Sequence, residues 1–351
     1  MSRTASPVWR VLGVAIGVVA LQALMVAVFA WPATKIEPRD LPVAVAGPAP
    51  AAQAFAGQLD RARPGAFEVT TVPDAAAADR LLRDREAYAA FVLGPLVPPE
   101  ATASLHEPPD PGGLAGLHVA SAASPTVAQL LTQASQTLGQ GRPVPVVDVV
   151  AADRDDPRGA GLAAGLLPLV LTSIAAGLLL TRRTGSRLAR VLGVLTYAVL
   201  AGLAATAIVQ YALGALPGDY LANAAVVALL TLAMAAAAAG LGTSLGPAGV
   251  ALAVLAVFLV GNPLSGVTSA PELLPQPWGA VGQLLPPGAG GTLLRSVAFF
   301  DGAGAALPAW VLSAWAAAGL LLAAIPGAGR LRAPSHTRAH DPIPLRAQRT
   351  A

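Results

Sequence analysis

One block, residues 159–327, constrains this chain more than any other feature. It is rich in Ala, Gly and Leu and nearly free of charge, and its apolar runs reach about 20 residues, enough for a helix to cross a hydrocarbon core of about 30 Å. Several runs follow one another with no amphipathic helices to cover them, which excludes the buried core of a large soluble protein. Composition agrees: 55% of residues are hydrophobic and 12% charged, whereas soluble domains carry about a quarter charged residues. The pattern predicts an α-helical polytopic membrane protein.

Polar punctuation divides the block into five spans, at about 161–181, 191–216, 221–241, 248–262 and 307–326. A sixth precedes them at 11–34, after a short start containing Arg3 and Arg10. The competing reading of 11–34 is a cleavable signal peptide, whose apolar core should run about 7–15 residues. This segment is far longer and carries Gly13-x-x-x-Gly17, a spacing that lets helices approach closely, so a retained transmembrane helix is expected. The small-residue run Ala235 to Gly242 and the pair Gly161-x-x-x-Gly165 predict close helix packing further on.

Residues 35–158 differ completely, holding fifteen of the nineteen acids among arginines and prolines. Strands are expected at Leu41–Ala46, Phe67–Val72, Ala89–Leu93, Leu117–Ser121 and Val144–Val150. Helices are expected through Phe55, Leu59 and Arg63, from an Asp74 cap through Leu81, Leu82 and Tyr88, and over Pro125–Leu138. The alternation predicts an α/β domain with a largely parallel sheet, inserted between transmembrane helices 1 and 2. Its charge run Asp79-Arg80, Arg83-Asp84-Arg85-Glu86, mixed in sign at helical spacing, reads as a solvated helix face. His106 and His118 fall in no metal-ligand spacing, and Asp153, Asp155 and Asp156 read as a polar boundary before the membrane rather than a cation site. The chain has no cysteine, which excludes disulfides and thiolate chemistry. No cofactor, catalytic, metal or nucleic-acid site is expected.

Basic residues set the orientation. Arg3 and Arg10, the cluster Arg182, Arg183, Arg187 and Arg190, and the tail Arg330, Arg332, Arg338, Arg346 and Arg349 fall on one side if there are six spans. The positive-inside rule makes that side the cytoplasm, with both termini inside the plasma membrane and residues 35–158 outside. The tail, 328–351, reads as disordered.

Residues 263–306 are too Pro-broken for one membrane helix and too apolar for a free loop. Short half-helices dipping into the outer leaflet fit, because irregular backbone survives at membrane depth only against protein or a water-filled cavity. Asn262 and Pro263 open this segment, Trp278 suits an interfacial position, and Glu272, Arg295 and Asp301 are its only charges. These six residues form a candidate outer gate; for the three charges, the alternative is that they simply face water.

Asn262-Pro-Leu-Ser-Gly266, Pro271-Glu-Leu-Leu-Pro275, Trp278, Leu285-Pro-Pro-Gly288 and Leu294-Arg-Ser296, set in this layout, resemble permease subunits of ATP-binding cassette exporters of the type-2 class. The similar branch is the phage-infection-protein-like one, with a large external domain after the first span. The resemblance implies a homodimer or heterodimer of permeases that moves a hydrophobic or amphipathic substrate outward. It also implies a separate ATPase docked on the cytoplasmic loop that holds Arg182, Arg183, Arg187 and Arg190.

The residues agree in part. Lys35 is the sole lysine, so no Gly-x-x-x-x-Gly-Lys-Ser/Thr loop exists here to cradle nucleotide phosphates. No Asp, Glu, His, Lys or Arg falls at mid-depth in a span, whereas ion-coupled carriers usually need such groups. Energy for transport must then come from a partner. A reading from a different class is a non-transporting scaffold or receptor whose external domain binds a cell-envelope, phage or secretion partner.

Overall fold

The computed structural model describes residues 7–94, 113–138 and 143–325. Arg3, His106 and the basic tail lie outside the described residues. The chain opens with α1 (Pro7–Thr34), whose spanning window has no buried residue. It meets the rest near its C-terminal end, where the Phe29 and Phe258 ring centroids lie 5.7 Å apart and Trp31 meets Trp278 edge-on at 6.4 Å.

Next comes a sheet unit: β1 (Leu41–Ala46), α2 (Ala49–Ala62), β2 (Phe67–Val72), α3 (Ala75–Arg83), β3 (Ala89–Leu93), β4 (Leu114–Val119), α4 (Pro125–Leu138) and β5 (Val146–Asp148). The strand order is β2-β1-β3-β4-β5, with β3–β4 antiparallel and the other three pairings parallel. The sheet is therefore mixed. β1 lies between two neighbours and is covered on both faces, which is why it reads as an unbroken apolar run. Leu41, Val43 and Val45 pack with Ala52 and Leu59 of α2, Phe91, and Val127 and Leu131 of α4. The alternate residues Ala44 and Ala46 pack with Ala78 and Leu82 of α3. Each large side chain buried this way contributes about 1.5–3 kcal/mol. The Asp74 carboxylate accepts the Ala77 N–H at 2.7 Å and so caps α3. That helix ends at Arg83, short of the expected Tyr88, because Arg85 turns into the left-handed region at φ 60° and breaks the helical path.

The helical part comprises α5 (Ala160–Arg183), α6 (Arg187–Ala207, continued by a π turn to Ala212), α7 (Tyr220–Leu245), α8 (Pro247–Ala253), α9 (Trp278–Gln283), α10 (Pro286–Phe299) and α11 (Ala306–Ala324). With α1, five helices among the described residues are long and apolar enough to cross a membrane: α1, α5, α6, α7 and α11. The protein is thus a polytopic helical membrane protein with a small mixed sheet. α7 is its centre, with 72% of its spanning window buried and α5, α6, α10 and α11 packed on it. Small residues make this possible. A Cβ on Gly177 of α5 would lie 2.4 Å from the Ala235 carbonyl oxygen, and one on Gly202 of α6 would lie 2.6 Å from that of Ala224. By contrast Gly13 has nothing within 4 Å of such a Cβ.

The expected span at 248–262 is shorter than the others. α8 supplies seven α-helical residues, and Val254–Gly261 adds eight in π geometry. At 1.5 Å or less per residue this covers about 20 Å, less than a hydrocarbon core of about 30 Å. The helix stops at Asn262-Pro263, where proline removes a backbone donor.

The chain then turns inward through a 3₁₀ turn at Pro271–Leu273 before α9 and α10. The Trp315 indole N–H donates to the Leu284 carbonyl at 2.9 Å, and Trp315 lies about 14 Å along α11 from its start. A Cβ on Gly290 would lie 2.5 Å from a Leu230 methyl, itself about 15 Å into α7. α10 therefore begins at half the depth of the bundle and rises to Phe299, which packs with Phe300 against the sheet unit. A helix start buried among apolar groups leaves N–H donors without partners. Pro286 and Pro287 occupy the first two positions of α10 and remove two such donors outright.

Candidate functional site

The sheet unit and the 263–299 segment share a core. Leu273 is fully buried, and with Ala270 it packs among Leu41, Phe91 and Val127. Main-chain bonds fasten the joint: Glu37 N–H donates to the Leu273 carbonyl at 3.2 Å and Arg39 N–H to the Glu272 carbonyl at 3.0 Å. The Ser124 hydroxyl accepts the Val127 N–H at 3.2 Å as the cap of α4 and donates to the Ser269 carbonyl at 2.6 Å.

Beside this joint lies a cleft of about 670 Å³, lined among others by Arg85, Tyr88, Glu272, Thr292, Arg295 and Leu307. Arg85 comes from the residue after the α3 cap, and its backbone sits at φ 60°. That left-handed position usually takes glycine and costs other residues about 1–2 kcal/mol. Its guanidinium donates through Nη1 to the Thr292 carbonyl at 2.9 Å and to the Ser296 hydroxyl, and lies 5.1 Å from the centre of the Phe300 ring. Arg295, 6% exposed, donates to the Val267 carbonyl. The Tyr88 hydroxyl donates to Glu272 Oε2 at 2.9 Å. Burial holds the Arg85 pKa below the usual arginine value, and burial together with the nearby Glu272 carboxylate pushes the Tyr88 phenol up, so its proton stays on at any physiological pH.

No protein-family model, curated protein or solved structure matches this chain.

The expected gate residues fall in different places. Glu272 and Arg295 line the cleft just described. Asn262 and Pro263 line a second cavity, of about 640 Å³, against Phe29, Pro32, Ala33 and Ile36 at the end of α1. Trp278 packs on Trp31, and Asp301 is exposed. The alternative that the charges simply face water fits Asp301 and fails for Arg295, which is buried.

The arginine cluster also divides. Arg182, Arg183 and Arg187 are exposed, whereas Arg190 donates from Nη1 to the Ala323 carbonyl at 2.8 Å and holds the end of α11. This contact places the cluster at the end of the bundle opposite the sheet unit.

Sequence reasoning missed Arg85 and Tyr88. The solvated-face reading holds for Arg83, which is exposed and 3.9 Å from Asp79, but not for Arg85, whose left-handed backbone carries it into the cleft. Asp79 also pairs with His118 Nδ1 at 2.6 Å. Asp156 accepts the Gly161 and Leu162 N–H groups at 2.9 and 3.1 Å at the start of α5, a structural role. Among the described residues there is no group of three or more potential metal ligands.

Proposed function

We propose that this chain is the membrane permease subunit of an ATP-binding cassette exporter of the type-2 class. It sits in the plasma membrane with six crossings, the short helix Pro247–Gly261 being the fifth. Both termini are cytoplasmic, and the sheet unit is outside. It works as a dimer of permeases with a separate ATPase and moves a hydrophobic or amphipathic substrate outward.

The observation that carries this reading is the half-depth helix α10. It starts level with the middle of α7 and α11 and ends in the core of the sheet unit. Interrupted and re-entrant segments at membrane depth recur in channels and transporters, where irregular backbone is buried against protein or lines a water-filled cavity. The same helix ties the path to the external unit, so movement in one is felt by the other. Support from the opposite end is the exposed trio Arg182, Arg183 and Arg187, a basic surface on an otherwise apolar bundle.

The test is purification of the tagged chain from its native membrane in mild detergent, with mass spectrometry of co-purifying chains and an assay of vanadate-sensitive ATP hydrolysis. A P-loop ATPase should co-purify and be lost when Arg182, Arg183 and Arg187 become Gln. Arg190 is left intact because it secures α11. No ATPase, together with a stable external partner, would refute export and leave the scaffold.

A further inference from the structure

The lining of the cleft carries more positive than negative charge. Arg85 and Arg295 both line it, Glu272 is the only carboxylate lining it among the described residues, and that carboxylate already accepts the Tyr88 hydroxyl. Neither arginine forms an ion pair with a carboxylate among the described residues. A guanidinium offers five N–H donors. Arg295 spends one on Val267, and Arg85 uses only Nη1. Two cations that share one carboxylate in a partly dry space leave one positive charge unbalanced, which is costly. The left-handed backbone at Arg85 adds to that cost where glycine would avoid it. Local strain of this kind persists where the side chain is used.

The other wall is apolar. Leu284, Leu307 and Pro308 line the same cleft, and Leu284 and Leu307 are 57% and 66% exposed, continuing it along the start of α11. A forked pair of cationic donors on one side and an aliphatic track on the other is the chemistry of an anionic amphiphile.

We infer that this cleft binds the oxyanionic headgroup of an amphiphile, a phosphodiester or carboxylate, between Arg85 and Arg295, with the apolar chain lying along Leu284, Leu307 and Pro308. One negative charge balances the single excess positive charge of the lining. Guanidinium forks match the two oxygens of such a group. The site needs no ATPase, so it stands whether the chain exports or serves as a scaffold.

The experiment uses the full-length chain in neutral detergent with dioleoylphosphatidylglycerol, and native mass spectrometry reads the tightest-held lipid. Dioleoylphosphatidylcholine is the reference without net charge, and inorganic phosphate is the competitor without a tail. Retention of the anionic lipid should exceed that of the reference, and Arg85→Gln and Arg295→Gln should each weaken it about tenfold or more. Glu272→Gln should strengthen it severalfold by removing the competing carboxylate. Arg158→Gln, at an exposed arginine near the start of α5, should leave it unchanged. Because Glu272→Gln moves binding in the opposite direction, loss of fold in Arg295→Gln cannot imitate the full result. Equal retention of both lipids, insensitivity to Arg85→Gln and Glu272→Gln, or displacement of the lipid by an equal concentration of inorganic phosphate would each overturn the assignment.

Discussion

The crossing of α7 with α11 gives a direct test of how this bundle is held together. Gly240 and Gly319 meet there. A Cβ on Gly240 would lie 2.3 Å from the Gly319 carbonyl oxygen and 2.9 Å from Leu322 Cβ. Carbon contacts settle at about 3.5–4.0 Å, so Gly240→Ala must push the helices apart by on the order of 1 Å. Overpacking of this size costs about 1–3 kcal/mol. The same substitution brings a helix-propensity gain of up to about 1 kcal/mol, which would blur the result taken alone. Gly13→Ala supplies the correction, since that glycine lies in an apolar helix with nothing within 4 Å. The difference between the two variants isolates packing and should be about 1–3 kcal/mol. Reversible unfolding in mixed micelles, followed by helical circular dichroism at increasing detergent denaturant, measures it. If both variants shift stability alike, to within about 0.5 kcal/mol, close packing against α7 is not what holds α11 in place.

Three further outcomes follow from named contacts. Ser124→Ala removes a helix cap and the bond to the Ser269 carbonyl together, and should cost about 1–2 kcal/mol in thermal or denaturant unfolding; a neutral result would mean that the joint does not depend on it. Phe91→Ala empties a fully buried site beside Phe55 and should cost about 3–5 kcal/mol, read by loss of expression or protease resistance of the sheet unit. Because the chain has no cysteine, Gln53→Cys and Gly185→Cys each introduce a single thiol. On intact cells a membrane-impermeant maleimide should label only the first, and labelling of the second alone would reverse the proposed orientation.

Much of the fold is legible residue by residue. The long helices announce themselves because an apolar run of span length has few alternatives, and β1 to β3 stand between glycine and proline turns that mark their ends. Asp74 is readable as a cap because its carboxylate satisfies a donor three residues on. The antiparallel step at β3–β4 is not readable, since strand spacing alone carries no direction. The cleft is hidden for a different reason. Arg85 meets Ser296 across 211 residues and Tyr88 meets Glu272 across 184, and contacts that remote leave no local pattern. The division among the four arginines is equally silent, because Arg190 differs from its neighbours only in facing the Ala323 carbonyl at the end of another helix.

The shared core at Ala270 and Leu273 bears on how such a chain can evolve. The sheet unit looks like a cassette dropped between two membrane helices, yet a wall of its interior is supplied from more than a hundred residues downstream. Exchange of residues 35–158 alone between related chains would leave Leu273 facing a surface not shaped for it. Viable recombinants would have to bring 263–275 along with the sheet unit, so the two stretches should be inherited as a pair although they are far apart in the gene.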